Sequence, residues 1–226
     1  MSRLCLTVAR HDEHRADRAP RIRVRPMTSK DLDAVETVVT RGFNNNVFYR
    51  TLLGFDARQF RIYWARFLPF VLKHPASRNF VLEVDGEQRG ILATALSGFA
   101  SPIRGIGFTA ALALRIHPCA SKRYLGFVRF YEELMRVPAI DRAREARGLW
   151  LAVDRQRGDP PLGALLVQGA IESLRTEGKT LATGMADGNS PGILAFYRRL
   201  GFQLQDPVLF RGCRIVRVVA HPRPRR

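Results

Sequence analysis

The stretch that most constrains this chain runs from Leu149 to Phe202. It opens with an apolar strand, Leu149-Trp150-Leu151-Ala152-Val153, and a turn rich in glycine and proline from Arg157 to Gly163. A helix follows with Leu162, Leu166, Ala170 and Leu174 on one face, and then a second strand from Thr180 to Met185. Two strand-like runs flanking a one-sided helical stripe require a layered structure in which the helix covers a sheet.

The remaining segments extend that sheet. Arg21-Ile22-Arg23-Val24-Arg25 alternates with period two, the mark of a half-buried strand, and Pro26 ends it. Thr28-Ser29-Lys30-Asp31 caps a helix that buries Leu32, Val35, Val38 and Val39 and stops at Gly42, with Asp31 in place of the usual Glu. Asn44-Asn45-Asn46 is a turn. A helix through Ala57 to Lys73 then sets Phe60, Trp64, Phe67 and Val71 on one stripe, and Pro69 inside it predicts a kink. Asn79 to Val84 and Gln88 to Leu96 form a hairpin about Asp85-Gly86, a pair suited to positive φ angles.

Between Ser101 and Arg147 the pattern is helical, clearest where Tyr124, Phe127, Val128, Tyr131, Leu134 and Met135 repeat at three and four residues. Near the end, Ile193, Phe196, Tyr197 and Leu200 share one helical face, with Phe196 and Leu200 read as core and Gly201 as the stop. A terminal strand pair, Phe202 to Phe210 and Cys213 to Val219, completes the pattern. Residues 1–20 read as a flexible arm, 21–220 as one domain with a helical insertion at 97–147, and 221–226 as a basic tail. The fold class is α/β in the α+β sense, a mixed and mostly antiparallel central sheet with helices on both faces.

Composition narrows the partners. With 226 residues and 46% hydrophobic content the chain buries a sizeable core. Its net charge of +17 draws phosphate-bearing ligands, nucleic acid or acidic lipids from a distance. The bases are scattered through every segment, as on an arginine-rich solvated surface, and no basic helix with interleaved aromatics speaks for nucleic acid. Cys5, Cys119 and Cys213 are odd in number and share no metal-ligand spacing, so they read as free thiols in a reducing cytoplasm. No signal core is visible, and the apolar run from Gly105 to Leu114 falls short of the roughly 20 residues that span a membrane.

The order strand, turn, helix and strand, followed by Asn189, Ala195-Phe196-Tyr197 and Leu200-Gly201-Phe202, resembles the acetyl-CoA-binding half of the GNAT N-acetyltransferase superfamily. That resemblance implies acetyl-CoA as acyl donor, no metal, and an amine that attacks the thioester directly, aided by positioning and by strand amides that polarise the carbonyl. It makes Tyr197 the general acid that protonates the departing thiolate, although by itself Tyr197 reads equally as a packed ring with a satisfied hydroxyl. It has Asn189, otherwise a turn former and cap, bond the pantetheine arm. The backbone of Leu151 and Val153 would pair with that arm like an added strand.

The resemblance further implies that the pyrophosphate lies against Arg155, Arg157, Gly158, Asp159, Leu162, Gly163 and Ala164, at a helix N-terminus. The loop departs from the family's pattern. Pro161 stands where the first glycine belongs and Gly158 where Gln or Arg belongs, and Pro160 and Pro161 carry no N–H to offer.

A general base is less evident, because Trp150 and Ala152 stand where such proteins often place a carboxylate. Glu83 and Asp154 are the candidates, each also readable as a solvated surface acid, with a water chain as the alternative. The five histidines lack ligand spacing, and no nucleophile elbow or Cys–His arrangement is present. Three readings follow: an N-acetyltransferase, a GNAT-like binding or regulatory module that has lost efficient transfer, or, with charge alone behind it, a nucleic-acid-binding protein. A homodimer is left open.

Overall fold

The computed structural model describes residues 20–43, 46–96, 118–135, 143–156 and 158–220. The alternating stretch forms β1 (Ile22–Pro26), and α1 (Leu32–Phe43) follows a short 3-10 turn. Asp31 caps as its position predicts: its carboxylate accepts from the Thr28 amide at 2.7 Å and the Thr28 hydroxyl at 2.9 Å. A helix to which the sequence reading assigned nothing, α2 (Val47–Leu53), lies between the Asn turn and α3 (Ala57–Leu72). Its signals are local ones. The Asn46 side chain accepts from the Tyr49 amide at 3.0 Å, and Gly54 ends the helix with φ of 67°. Pro69 sits inside α3, which continues past it to Leu72.

The hairpin β2 (Ser77–Val84) and β3 (Glu87–Leu96) turns through Asp85 and Gly86, with φ of 53° and 88°. Then come α4 (Pro118–Leu134), β4 (Glu145–Val153), α5 (Leu162–Thr176), β5 (Thr180–Asp187) and α6 (Pro191–Arg199). Residues 97–117 and 136–142, just over half of the expected helical insertion, lie outside the described residues, as do residues 1–19 and the tail. Glu145 to Arg147, assigned to that insertion, already belong to β4. The expected strand from Phe202 to Phe210 is two short ones, β6 (Phe202–Leu204) and β7 (Val208–Phe210), both paired with β8 (Cys213–Ala220). Pro207 between them has no N–H to give a ladder, which explains the break.

The sheet runs β1-β2-β3-β4-β5-β8-β6, with β7 also on β8. Its one parallel pair among the described strands is β4 with β5. Side chains alternate across it. Val81, Ile91 and Trp150 face α1 and α3, where they meet Val35, Phe60 and Trp64, whereas Phe80, Leu82 and Leu92 face α5 and its Leu166, Ala170 and Leu174. Each fully buried Leu or Phe in these layers contributes about 1.5–3 kcal/mol. The α5 layer comes very close to β1 at Gly169, where an added Cβ would lie 2.7 Å from the Cβ of Val24.

Candidate active site

The parallel ladder between β4 and β5 covers Glu145↔Thr180, Ala146↔Leu181 and Arg147↔Thr183. Past that point β4 keeps to β3, through Leu92↔Leu151 and Gly90↔Val153, and β5 keeps to β8, from Thr183↔Val219 to Asp187↔Ile215. A bulge accompanies the parting. On β3 the neighbours Ala93 and Thr94 face Trp150 and Gly148, which leaves Leu149 as an extra residue on β4. Such a residue bends its strand and increases the local twist. The strands therefore open into a cleft of about 400 Å³, with Gly148 to Leu151 on one arm and Gly184 to Asp187 on the other. The cleft-side edge of β4 is then available to pair with an extended ligand.

Helices supply the walls. Phe43 from the end of α1, with Asn46, Phe48 and Tyr49 at the start of α2, lines one side, and Ile193, Phe196 and Tyr197 of α6 line another. The Tyr49 hydroxyl donates to the Leu149 carbonyl at 3.2 Å, so α2 is tied to the bulge itself. Tyr197 packs edge-on against Phe196 and Phe202, with ring centroids 5.1 and 5.5 Å away. Burial pushes its phenol up to about 12, and Tyr49 is raised further, by burial first and then by the neighbouring Tyr197. Both hydroxyls keep their protons at any physiological pH.

The apolar face of α6 meets the core as its periodicity predicts, but only in part: Phe196, Tyr197 and the capping Leu200 are half-buried against the α5-side core, Phe196 and Tyr197 also line the cleft, and Ile193 is 42% exposed.

The loop after β4 is held by Arg89, a buried arginine of β3. Its Nε donates to the Asp154 carbonyl at 2.9 Å and its Nη2 to the Asp159 carboxylate at 2.7 Å. Asp159 also accepts from the Gln156 amide at 2.6 Å, so its carboxylate closes the loop on itself. Pro161 makes a tight inverse turn, φ −71° and ψ 69°, in which the Leu162 amide donates to the Pro160 carbonyl at 2.7 Å. The Ala164 and Leu165 amides donate to the Pro161 carbonyl at 2.9 and 3.2 Å. Gly163, between them, has its amide outside these contacts. Gly158 takes φ of 90°, which a side chain would resist.

No family model matches the chain, and no curated protein matches it in sequence. Solved structures do match in fold. A polyamine N-acetyltransferase of Drosophila melanogaster is similar over 89% of this chain and 100% of its own, with a TM-score of 0.59 and 15% identity. A protein from Desulfovibrio desulfuricans assigned to the GNAT family is similar over 88% of this chain and 98% of its own, at a TM-score of 0.52 and 15% identity. Arabidopsis thaliana NAA60, solved with acetyl-CoA, is similar over 88% of this chain and 97% of its own, at 0.51 and 12%. This chain has the GNAT fold.

Within the GNAT fold the candidate residues separate into three groups. Leu151 and Tyr197 line the cleft, and Val153 lies further along the same strand. Asn189 is exposed in the turn before α6, where its amide donates to the Asp187 carboxylate at 2.9 Å. Gly158, Asp159, Leu162, Gly163 and Ala164 form the loop and the first turn of α5, beside the exposed Arg155, while Arg157 lies outside the described residues. The two acids lie elsewhere. Glu83 on β2 is bound to Arg25 at 2.5 Å, and Asp154 pairs with Arg41 at 3.1 Å.

Sequence reasoning missed Tyr49, Asn46, Asp187 and Arg89. The first two had a usable signal, Asn46 and Gly54 as the start and stop of a short helix. Arg89 had none, since one arginine in a strand carries no hint of which loop it will reach.

Proposed function

We propose that the chain is an acyl-CoA-dependent N-acetyltransferase that passes acetyl from acetyl-CoA to an amine. The observation that carries this is the parting of β4 from β5 beside the Tyr197 phenol, which gives an unpaired strand edge and a proton donor facing one cleft. The pantetheine arm pairs with the edge near Leu151 and Val153, and its thioester meets the bulge at Leu149. The amine lone pair attacks the thioester carbon, and strand amides stabilise the oxyanion. As the carbon–sulfur bond breaks, Tyr197 gives its proton to the sulfur, and the nitrogen loses one to water. A phenol raised to about 12 suits this role, since it holds its proton until the thiolate appears.

The pyrophosphate end lies at the α5 N-terminus, where Gly163 and the helix dipole attract it together with the exposed Arg155. A reducing compartment such as the cytoplasm fits the buried free thiol of Cys213. No helix among the described residues is long and apolar enough to cross a membrane.

A second reading, a GNAT-fold binding module with weak transfer, draws on the loop, where Pro160 and Pro161 offer no donors and three of the following amides are engaged. Two measurements decide between them. Calorimetric titration with CoA is expected to show binding at the cleft, and no heat at millimolar ligand refutes both readings. CoA release from acetyl-CoA with an amine panel is expected under the first and not under the second.

A further inference from the structure

We propose that Asp187 receives the acceptor: its carboxylate holds the ammonium of an alkyl amine and takes a proton from it, while the amine's apolar substituent lies on the ring wall of Phe43, Phe48 and Tyr49. The proposal rests on the acetyl-transfer reading above and names a residue and a substrate class for the same site.

Strand alternation turns Asp187 towards that wall. On β5, Ala186 packs on the α5 side of the sheet, whereas Met185 packs with Phe48 and Leu52 of α2. Asp187 alternates from Ala186 and so shares the face of Met185. Ile215, opposite it on β8, belongs to the same α2-side cluster. The carboxylate is felt by the Cys213 thiol, which burial raises first and Asp187 raises further. Cys213 Sγ in turn lies 3.9 Å from the Phe48 carbonyl. Asp187 therefore stands at the Phe48 end of the rings, in the cleft that Tyr197 also lines.

The carboxylate is held in place with one oxygen to spare. The Gly188 amide donates to the Arg214 carbonyl at 2.7 Å and the Ser190 amide to the Asp187 carbonyl at 3.1 Å, so the backbone on both sides is fixed. The Asn189 amide holds Oδ1 at 2.9 Å, and Oδ2 has no hydrogen-bond partner among the described residues. A half-buried carboxylate oxygen fixed in this way takes a cation without reordering its surroundings.

The rings are assembled as well. Phe43 stacks on Trp64 with centroids 4.9 Å apart and meets Tyr49 at 5.4 Å, and Tyr49 meets Phe48 edge-on at 5.5 Å. An apolar group gains contact area there, and an ammonium drawn out of water beside it requires an opposite charge. A primary amine on an apolar substituent satisfies both demands at once, with its nitrogen at Asp187 and its substituent on the wall.

An alkyl ammonium has no lone pair until a base removes a proton, and Oδ2 takes that proton. The freed nitrogen bonds to the acetyl carbon as the carbon–sulfur bond breaks. The nitrogen then releases a second proton to water, the thiolate takes one from Tyr197, and Tyr197 recovers one from water. Asp187 returns its proton to water, so that one amide, one CoA thiol and one net proton leave for each ammonium and acetyl-CoA consumed.

The test measures CoA release by the full chain from acetyl-CoA with 2-phenylethylamine and ethylamine as acceptors, alongside calorimetric binding of CoA. The kcat/KM for 2-phenylethylamine is expected to exceed that for ethylamine about 10-fold or more, from the contact of its ring with the wall. Asp187→Asn keeps an oxygen for the Asn189 amide and removes the charge and the base. It is expected to lower kcat/KM for 2-phenylethylamine about 100-fold or more, with CoA affinity and melting temperature retained. Asp187→Glu, which restores a carboxylate, is expected to recover about 10-fold of that loss.

An Asn variant that keeps the parental rate, or whose CoA affinity falls in step with its rate, overturns the role of Asp187, as does a Glu variant no better than the Asn one. If CoA binds and ethylamine is the equal of 2-phenylethylamine, or neither is acetylated, the acceptor class is overturned. Absence of CoA binding to the parent protein removes the transfer reading and this one with it.

Discussion

The Tyr49 hydroxyl donates to the main-chain carbonyl of Leu149 at 3.2 Å, and Leu149 is the residue that bulges out of the β3–β4 ladder. One phenol thus fixes the first turn of α2 to the point where the cleft begins to open. Tyr49→Phe keeps the ring contacts with Phe43 and Phe48 and removes only this bond. The expected loss is about 1 kcal/mol in denaturant unfolding. With the bulge less firmly placed, kcat is expected to drop about 10-fold while CoA affinity stays the same. A fall in CoA affinity with kcat intact would assign Tyr49 to ligand binding instead of positioning.

Tyr197 carries the sharper expectation. Tyr197→Phe retains the edge-on contacts with Phe196 and Phe202 and deletes the hydroxyl proposed as the acid. On an amine that the parent protein acetylates, kcat is expected to fall roughly 100-fold or more, with CoA affinity and melting temperature nearly unchanged. Turnover at the parental rate would leave water as the proton donor.

Arg89 and Asp159 are expected to govern the loop after β4, the proposed pyrophosphate site. Their ion pair is 2.7 Å long and both side chains are largely buried. Arg89→Met strands Asp159 without its partner and is expected to cost about 3 kcal/mol of stability and to weaken CoA binding. Arg89→Met combined with Asp159→Asn is expected to recover much of the stability, since no unpaired charge then remains. A double variant no more stable than the single one would show that Arg89 acts through its bond to the Asp154 carbonyl alone.

All five tyrosines, Tyr49, Tyr63, Tyr124, Tyr131 and Tyr197, have their phenols raised, with burial as the largest cause. In the unfolded chain they ionise near pH 10. A folded-state value above the unfolded one gives stability that is complete below about pH 10 and is lost as pH climbs towards the folded values, about 12 for Tyr197. Absorbance titration is therefore expected to show no tyrosinate in the folded protein around pH 10, and then ionisation together with loss of the circular dichroism signal. Separate ionisation of one or two tyrosines in a still-folded protein would contradict the burial that the fold assigns them.

Gly169 tests the packing of α5 on the sheet. Its added Cβ would meet the Cβ of Val24 at 2.7 Å, far inside normal contact, so Gly169→Ala forces helix and strand apart. A loss of about 1–3 kcal/mol is expected despite alanine's better helix propensity. A stabilised variant would mean that α5 and β1 separate freely.

Periodicity and punctuation are local properties, and the sequence alone was enough to read them. The stripe Leu162, Leu166, Ala170 and Leu174 is wholly buried, and Asp85-Gly86 turns the hairpin as its φ preferences require. The Thr28–Asp31 cap forms, and the sheet is mixed and mostly antiparallel with helices on both faces. What the sequence left undecided depends on pairs far apart in the chain. Phe196 is helical and apolar by pattern and packs on the core as that implies, yet that it also borders a cleft depends on how far β4 and β5 stay paired. Glu83 was readable as a free acid because Arg25, its partner, is 58 residues away in sequence. Leu149 looks like one more strand residue until its register against Ala93 and Thr94 makes it a bulge. A strand's period fixes which residues share a face, but its register against a neighbour is a tertiary choice, and here that choice opens the cleft.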